Sequence, residues 1–301
     1  MTKNRTAVVF GATNGIGKAC AKKLAQEGFS VVAVGRDKPG RKEEIVEELS
    51  RNGGDVDPPH EFRPCDAFSL SQVASCAKSI VADRESVDAV VMTQGMGSIQ
   101  GFTPTSEGND EKLTLHYWSR AAFSSTLLPA LHKSTLPKGP VVVSVLSGGI
   151  HSPYIDYKDD PELKINYSIK NAADIAGFYN DLFFDTLGKK NPTVSFYHAA
   201  PGFVNSNWGT EMPWFLRYPI RAIQSSVAKS CDECAHYMID PILRSQKGEE
   251  MIDRPGTGVY IMKEDASAGK LTNFHTDEAL SAVWDITAEV LKRVGIQIDR
   301  E

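Results

Sequence analysis

Short runs of β-branched residues alternate along this chain with longer stretches whose apolar positions recur every three or four residues. The runs at 6–10, 30–34, 62–65, 87–92, 140–146, 194–199 and 259–262 read as strands. Helical periodicity covers 16–27, 42–50, 71–83, 110–132, 168–187, 226–243 and 278–294. Strand followed by helix, repeated, implies right-handed crossovers and a parallel sheet covered on both faces. The expected fold is therefore α/β: a doubly wound Rossmann sheet of seven mainly parallel strands. No repeat or linker divides the chain, so 1–301 reads as one domain. Residues 150–165 and 203–225 read as insertions after the carboxyl ends of strands, where ligands bind in such sheets, and the second is the expected lid.

Composition narrows the function more than the fold. Apolar residues are 41% and charged residues 24% of 301, the balance of an ordinary globular protein. The net charge of −5 comes with no basic stripe, so nucleic acid is not an expected partner. The first apolar run ends in a glycine cluster rather than a cleavage site, and 141–150, the longest uncharged apolar stretch, is too short to span a bilayer. No membrane partner and a cytoplasmic location follow as expectations. Five scattered cysteines fit free thiols in a reducing compartment. Cys231 and Cys234 have a metal-like spacing but no second ligand pair, so they read as thiols on a helix face, and no metal is expected.

The chemistry starts at Gly11-Ala12-Thr13-Asn14-Gly15-Ile16-Gly17, between the first strand and the first helix. Glycines there let backbone amides approach a pyrophosphate, which rests on the positive end of the helix. The spacing Gly-x3-Gly-x-Gly resembles the short-chain dehydrogenase/reductase family, with Phe10 where that family usually has Thr. The resemblance implies a nicotinamide dinucleotide on Gly11, Thr13, Asn14, Gly15, Ile16 and Gly17. The second strand ends in Gly35 where an acid would select NAD, and Arg36 follows, able to grip a 2′-phosphate bidentately. NADP is the expected cofactor, with Asp37 keeping NAD open. The family pattern further places Asp66 at the adenine and Gln94-Gly95 beside the adenosine. It sets Pro201, Gly202, Val204 and Ser206 around the nicotinamide.

In the family a Ser and a Tyr bind the substrate oxygen, and a Lys four residues after the Tyr lowers its pKa and holds the ribose. Tyr167-Ser168-Ile169-Lys170-Asn171 opens the helix before the sixth strand, so Tyr167 is the expected acid. The lysine stands one position early at Lys170, and Asn171 takes its usual place. On a helix that displaces the ammonium by about 100°. The rival pair Tyr154 and Lys158 precedes Asp159-Asp160-Pro161, which cannot continue a helix. Without an aimed ammonium Tyr167 stays near a pKa of about 10, and forming its phenolate at pH 7 costs about 4 kcal/mol, so reduction is the expected direction. Ser147 is the expected carbonyl donor, with Ser144 second. His116, 13 residues before Pro129, occupies the family's Asn position, where an imidazole titrating near neutrality would join a proton relay; packing inside the helix is the other reading. His151 and His198 read as structural.

Phe203, Trp208, Trp214 and Phe215 cluster after the Pro-Gly turn, and an aromatic lid suits an apolar ligand. The expected function is NADP-dependent reduction of a hydrophobic ketone or aldehyde. The alternatives are a nucleotide-binding sensor or scaffold on the same fold, and a cyclase or isomerase whose bound cofactor only shapes the pocket. Long helices of this kind commonly pair in relatives, which allows a homodimer.

Overall fold

The computed structural model describes residues 5–206, 215, 228–254 and 258–298. Seven strands form one sheet: β1 (Thr6–Phe10), β2 (Ser30–Gly35), β3 (Glu61–Pro64), β4 (Ala89–Met92), β5 (Val141–Val145), β6 (Ser195–Ala199) and β7 (Val259–Met262). Their order is β3-β2-β1-β4-β5-β6-β7 and every pairing is parallel. Strands β1, β2, β4, β5, β6 and β7 are buried along their whole length, which is why they read as continuous rather than alternating apolar runs.

The sequence order reverses between β1 and β4, the switch point that leaves a crevice at the carboxyl ends of the strands. On one face lie α1 (Gly15–Gln26), α2 (Arg41–Gly53), α7 (Cys231–Met238) and α8 (Asp240–Lys247), over a core that includes Leu24, Phe29, Leu49 and Met238. On the other face lie α3 (Leu70–Asp83), α4 (Glu111–Leu113), α5 (Ser119–Leu131), α6 (Ile169–Lys190) and α9 (Asp277–Lys292), over Phe123, Phe178, Phe183 and Trp284. The helix expected over 226–243 is two helices, because Pro241 can begin α8 but cannot continue α7. No helix among the described residues is long and apolar enough to cross a membrane.

Between α4 and α5 the chain makes one π-helical turn, Thr114–Trp118, and such turns are frequent at functional sites. The loop before α4 also reaches across to α3. Glu107 accepts hydrogen bonds from the backbone amides of Leu70 (2.7 Å) and Ser71 (3.0 Å) and from the Ser69 hydroxyl (3.2 Å). Partial burial pushes its carboxyl up, but these bonds outweigh it and hold the pKa below the ordinary 4.5. A depressed carboxyl stabilises the fold above its unfolded value and loses that contribution as pH falls through the folded one. Glu107→Gln is therefore expected to cost about 1 kcal/mol in urea unfolding at pH 7 and close to nothing in acid below the folded pKa. An equal cost at both pH values would contradict the capping account.

Candidate active site

The switch-point crevice is a cleft of about 740 Å³. Its walls come from the glycine turn, the ends of β2, β3, β4 and β5, the π-turn and the segment after β6. Gly15 has a φ of 56°, the left-handed region that favours glycine, and a Cβ there would project into open space 3.6 Å from Ser206. Gly17 is needed for another reason: a Cβ would sit 2.3 Å from the Gly11 carbonyl oxygen, so only glycine lets α1 start this close to β1. Asn14 caps α1 without a side-chain hydrogen bond, leaving the first-turn amides to whatever occupies the cleft. Phe10, in place of the family's usual Thr, packs its ring on Phe123 at 4.8 Å, while Thr93 Oγ1 donates to the carbonyls of Phe10 and Gly11.

All of Gly11, Thr13, Asn14, Gly15, Ile16, Gly17, Arg36, Asp66, Gln94, Gly95, Pro201, Gly202, Val204 and Ser206 line this one cleft. Arg36 is exposed at its mouth and has no hydrogen bond or ion pair to another described residue. Asp37, the competing acid, accepts from the Lys38 amide at 2.8 Å instead. Asp66 Oδ1 accepts from the Phe68 amide at 3.1 Å, which shapes the turn into α3. Gln94 donates to Ser119 Oγ at 3.2 Å, and its buried Oε1 has no partner. A glycine cradle, an uncapped helix start and an unpaired guanidinium together fit a phosphorylated dinucleotide.

The catalytic candidates are arranged differently from the expectation. Tyr167 precedes the cap residue Ser168 and lies outside α6, so the helical offset between it and Lys170 does not apply. Lys170 is in the first turn, its side chain 75% exposed, and it donates to Asp174 at 2.5 Å. Asn171 Nδ2 donates to the Asn166 carbonyl at 2.8 Å. Tyr167, Lys170, Asn171 and Ser147 are not among the residues lining the cleft; Val145 and Leu146 are. Tyr154, buried, donates to the Asp160 carbonyl and caps only a three-residue 3-10 turn, Ile155–Tyr157, so no α-helix joins it to Lys158.

The cation beside the Tyr167 hydroxyl is Lys112, buried in α4, with Nζ 3.3 Å from that oxygen and 2.7 Å from the Gln100 carbonyl oxygen. Lys112 follows Glu111 and stands one turn before His116, both of which line the cleft. Burial lowers the Lys112 ammonium pKa from its usual value, and burial with Asp110 nearby pushes Tyr167 up to about 12, above the expected 10.

His116 lines the cleft, but the expectation that it titrates near neutrality is corrected. Its Nε2 accepts the Met96 amide at 3.1 Å, which uses the lone pair a proton would need. Burial, with Arg120 and Lys112 adding to it, lowers its pKa to about 3. A second residue absent from the sequence reading is Arg120, also in the cleft wall yet 1% exposed. It donates to Gln94 O (2.7 Å), Val145 O (2.9 Å) and Ser144 Oγ (2.7 Å), tying the ends of β4 and β5 together. Ser144 donates onward to Asn180 at 2.9 Å, and Asn180 donates to the His116 carbonyl at 3.0 Å, so the cleft floor is one connected network. The signal in the sequence was a lone charge in the otherwise uncharged run 119–131. The expected lid, 203–225 with Trp208 and Trp214, lies mostly outside the described residues; Phe203 lines the cleft, and Phe203 and Phe215 are exposed.

Comparison with known proteins agrees with this architecture. Residues 5–151 match the short chain dehydrogenase family. An oxidoreductase of Emericella nidulans is 27% identical over 96% of this chain and 93% of its own. The polyprenol dehydrogenase of Mus musculus is 26% identical over 97% of this chain and 84% of its own. An alcohol dehydrogenase of Thermococcus sibiricus, solved with 5-hydroxy-NADP, superposes with a TM-score of 0.58 at 20% identity, covering 89% of this chain and 95% of that one, a likeness of fold. The glycine turn, the parallel sheet order and these relatives agree, and over residues 5–151 the chain is similar to the short-chain dehydrogenase/reductase family.

Proposed function

We propose that this protein is an NADP(H)-dependent oxidoreductase that reduces a hydrophobic ketone or aldehyde. The observation that carries the reading is Arg36, exposed and without a protein partner among the described residues, at the mouth of a cleft built on the glycine turn. NADPH, when bound, supplies the hydride. The amides of Gly15, Ile16 and Gly17 hold its pyrophosphate, Arg36 its 2′-phosphate, Asp66 its adenine, and Pro201, Gly202, Val204 and Ser206 its nicotinamide end. Tyr167 donates the proton, and Lys112 replaces the displaced Lys170 as the neighbouring positive charge. A phenol with a pKa of about 12 stays protonated at neutral pH, which suits donation to a carbonyl and disfavours abstraction from an alcohol. His116 holds the Met96 amide as a positioning group. The lining residues Phe10, Phe68, Met96, Leu115, Leu146 and Phe203 favour an apolar substrate, in line with a relative named for a polyprenol.

A second reading, a nucleotide-bound sensor or scaffold, draws on Val145 and Leu146 lining the cleft while neither Ser147, the expected carbonyl donor, nor Ser144 does. The cofactor assignment is tested by fluorescence titration. Arg36→Asp is expected to weaken NADPH by about tenfold to a hundredfold and to leave NADH within about twofold. Equal loss for both cofactors would remove the 2′-phosphate role.

A further inference from the structure

Behind the cleft, four polar side chains that the proposed reaction does not use converge in the core. Asp181 comes from the middle of α6, His198 from β6, His151 from the loop after β5 and His275 from the loop before α9. Their side chains are 1%, 0%, 4% and 6% exposed. We propose that His151 is a buried imidazolium whose second proton latches the loop after β5, which brings Leu146 to the cleft wall, onto α6 and β6. The inference does not rest on the reductase reading.

Hydrogen counting places the proton. Burial pushes the Asp181 carboxyl up, but its three imidazole partners outweigh it and hold the pKa well below the ordinary 3.8, so Asp181 is ionised and only accepts. The Ser147 amide donates to His198 Nε2 at 3.1 Å, so that ring keeps its hydrogen on Nδ1 and donates it to Asp181 Oδ1 at 2.5 Å. The Thr272 amide donates to His275 Nδ1 at 3.1 Å, so this ring donates from Nε2 to Asp181 Oδ2 at 3.1 Å. His151 differs from both. Its Nε2 lies 2.9 Å from Asp181 Oδ2 and its Nδ1 lies 3.1 Å from the Ser152 carbonyl oxygen. Both partners are acceptors, so both nitrogens carry hydrogen and the ring is positive. Among the described residues no lysine or arginine bonds Asp181, which leaves His151 to match the charge of this buried carboxylate.

Shape holds the ring as well as charge. A Cβ on Gly177 would lie 2.5 Å from His151 Cγ and 2.6 Å from Ser147 Oγ, so glycine lets this loop pack directly on the backbone of α6. The His151 ring stacks on His198 at 5.9 Å between centroids and meets Phe178 edge-on. The next residue, Ser152, donates its amide to Asp174 at 3.1 Å, and Lys170 reaches Asp174 at 2.5 Å from the solvent side. The titratable groups facing His151 among the described residues are thus Asp181 and Asp174 from α6, His198 from β6 and His275 from the loop before α9. Burial pushes the His151 pKa down, but Asp181, the Ser152 carbonyl and Asp174 outweigh it and hold the value above the ordinary 6.5. A group whose pKa is raised by folding stabilises the fold fully below its unfolded value and loses that contribution as pH rises through the folded one. When the proton leaves, a ring nitrogen turns its lone pair on an oxygen and Asp181 stands as an unmatched buried charge, so the latch loosens as pH rises.

The test is ring-nitrogen NMR of the full chain labelled with ¹⁵N-histidine, with His151 assigned through its contact with Phe178. The expected result is a His151 ring with hydrogen on both nitrogens that titrates at a midpoint above that of a histidine peptide. Urea unfolding of the wild type and His151→Gln is compared from about pH 6 to about pH 9, and the wild-type margin is expected to be largest at the acid end and to shrink with rising pH. Exchange of the Ser147 amide, corrected for its intrinsic pH dependence, is expected to be about tenfold faster in the variant at the acid end. A bare His151 nitrogen at the acid end, a midpoint at or below the peptide's, a margin that stays flat or grows with pH, or unchanged Ser147 exchange overturns the proposal. The wild-type titration decides even if the variant fails to fold, and no readout involves NADPH or a substrate.

Discussion

Arg120→Ala is expected to lower the free energy of unfolding by about 3 kcal/mol or more, measured by urea denaturation at pH 7. Arg120 is buried in α5, and among the described residues it forms no ion pair with a carboxylate. What holds it is the trio of acceptors at the ends of β4 and β5, Gln94 O, Val145 O and Ser144 Oγ. Burial lowers its pKa to about 9, so its charge sits in the core at a cost that only these bonds offset. Removing it strips a donor from each of three buried acceptors, each worth about 1–3 kcal/mol when orphaned, and leaves a cavity under the cleft floor. Ser144 retains its bond to Asn180, which limits the loss there. Arg120→Lys should recover only part of the deficit, because an ammonium lacks the planar fork that reaches both strand ends. A loss below about 1 kcal/mol for the alanine variant would mean that water replaces the guanidinium freely.

Tyr167→Phe is expected to lower the rate of carbonyl reduction by about 10²- to 10⁴-fold while the NADPH Kd stays within about twofold. The hydroxyl removed is the one that Lys112 approaches at 3.3 Å; the ring, which packs edge-on against Phe102 at 6.1 Å between centroids, is kept. Fold and cofactor binding should therefore survive. Lys112→Met should lower turnover as well, whereas Lys170→Met should not, since Lys170 faces solvent and Asp174. Were Lys170→Met the more damaging of the two, the assignment of the helper cation would be reversed.

The sheet was legible because every strand but β3 is buried along its whole length and so appears as a largely apolar run, and the cofactor cradle because Gly11 to Gly17 combines a turn, a close approach and a helix start within seven residues. Those are local signals. The polar centre was less legible because it is assembled from elements distant in the chain. Lys112 and Tyr167 are 55 residues apart, and nothing in the local pattern says that an ammonium on α4 is the one folded inward. Lys170 was misleading for a related reason: counting along a helix presumes that Tyr167 is in it, and with Ser168 as cap the helix starts only at Ile169, two residues later. His116 looked titratable because residue type alone cannot reveal that its Nε2 is committed to the Met96 amide. Asp181 and His275, 94 residues apart, carry no shared motif at all.

The most direct test of the reductase reading is the loss of NADPH absorbance catalysed by the purified full chain across a panel of lipophilic ketones and aldehydes beside short polar ones. Consumption with the lipophilic members, faster than oxidation of the matching alcohols at pH 7, is the predicted result. Tight NADPH binding with no consumption on any member would contradict it and leave the nucleotide-bound sensor or scaffold as the function of this fold.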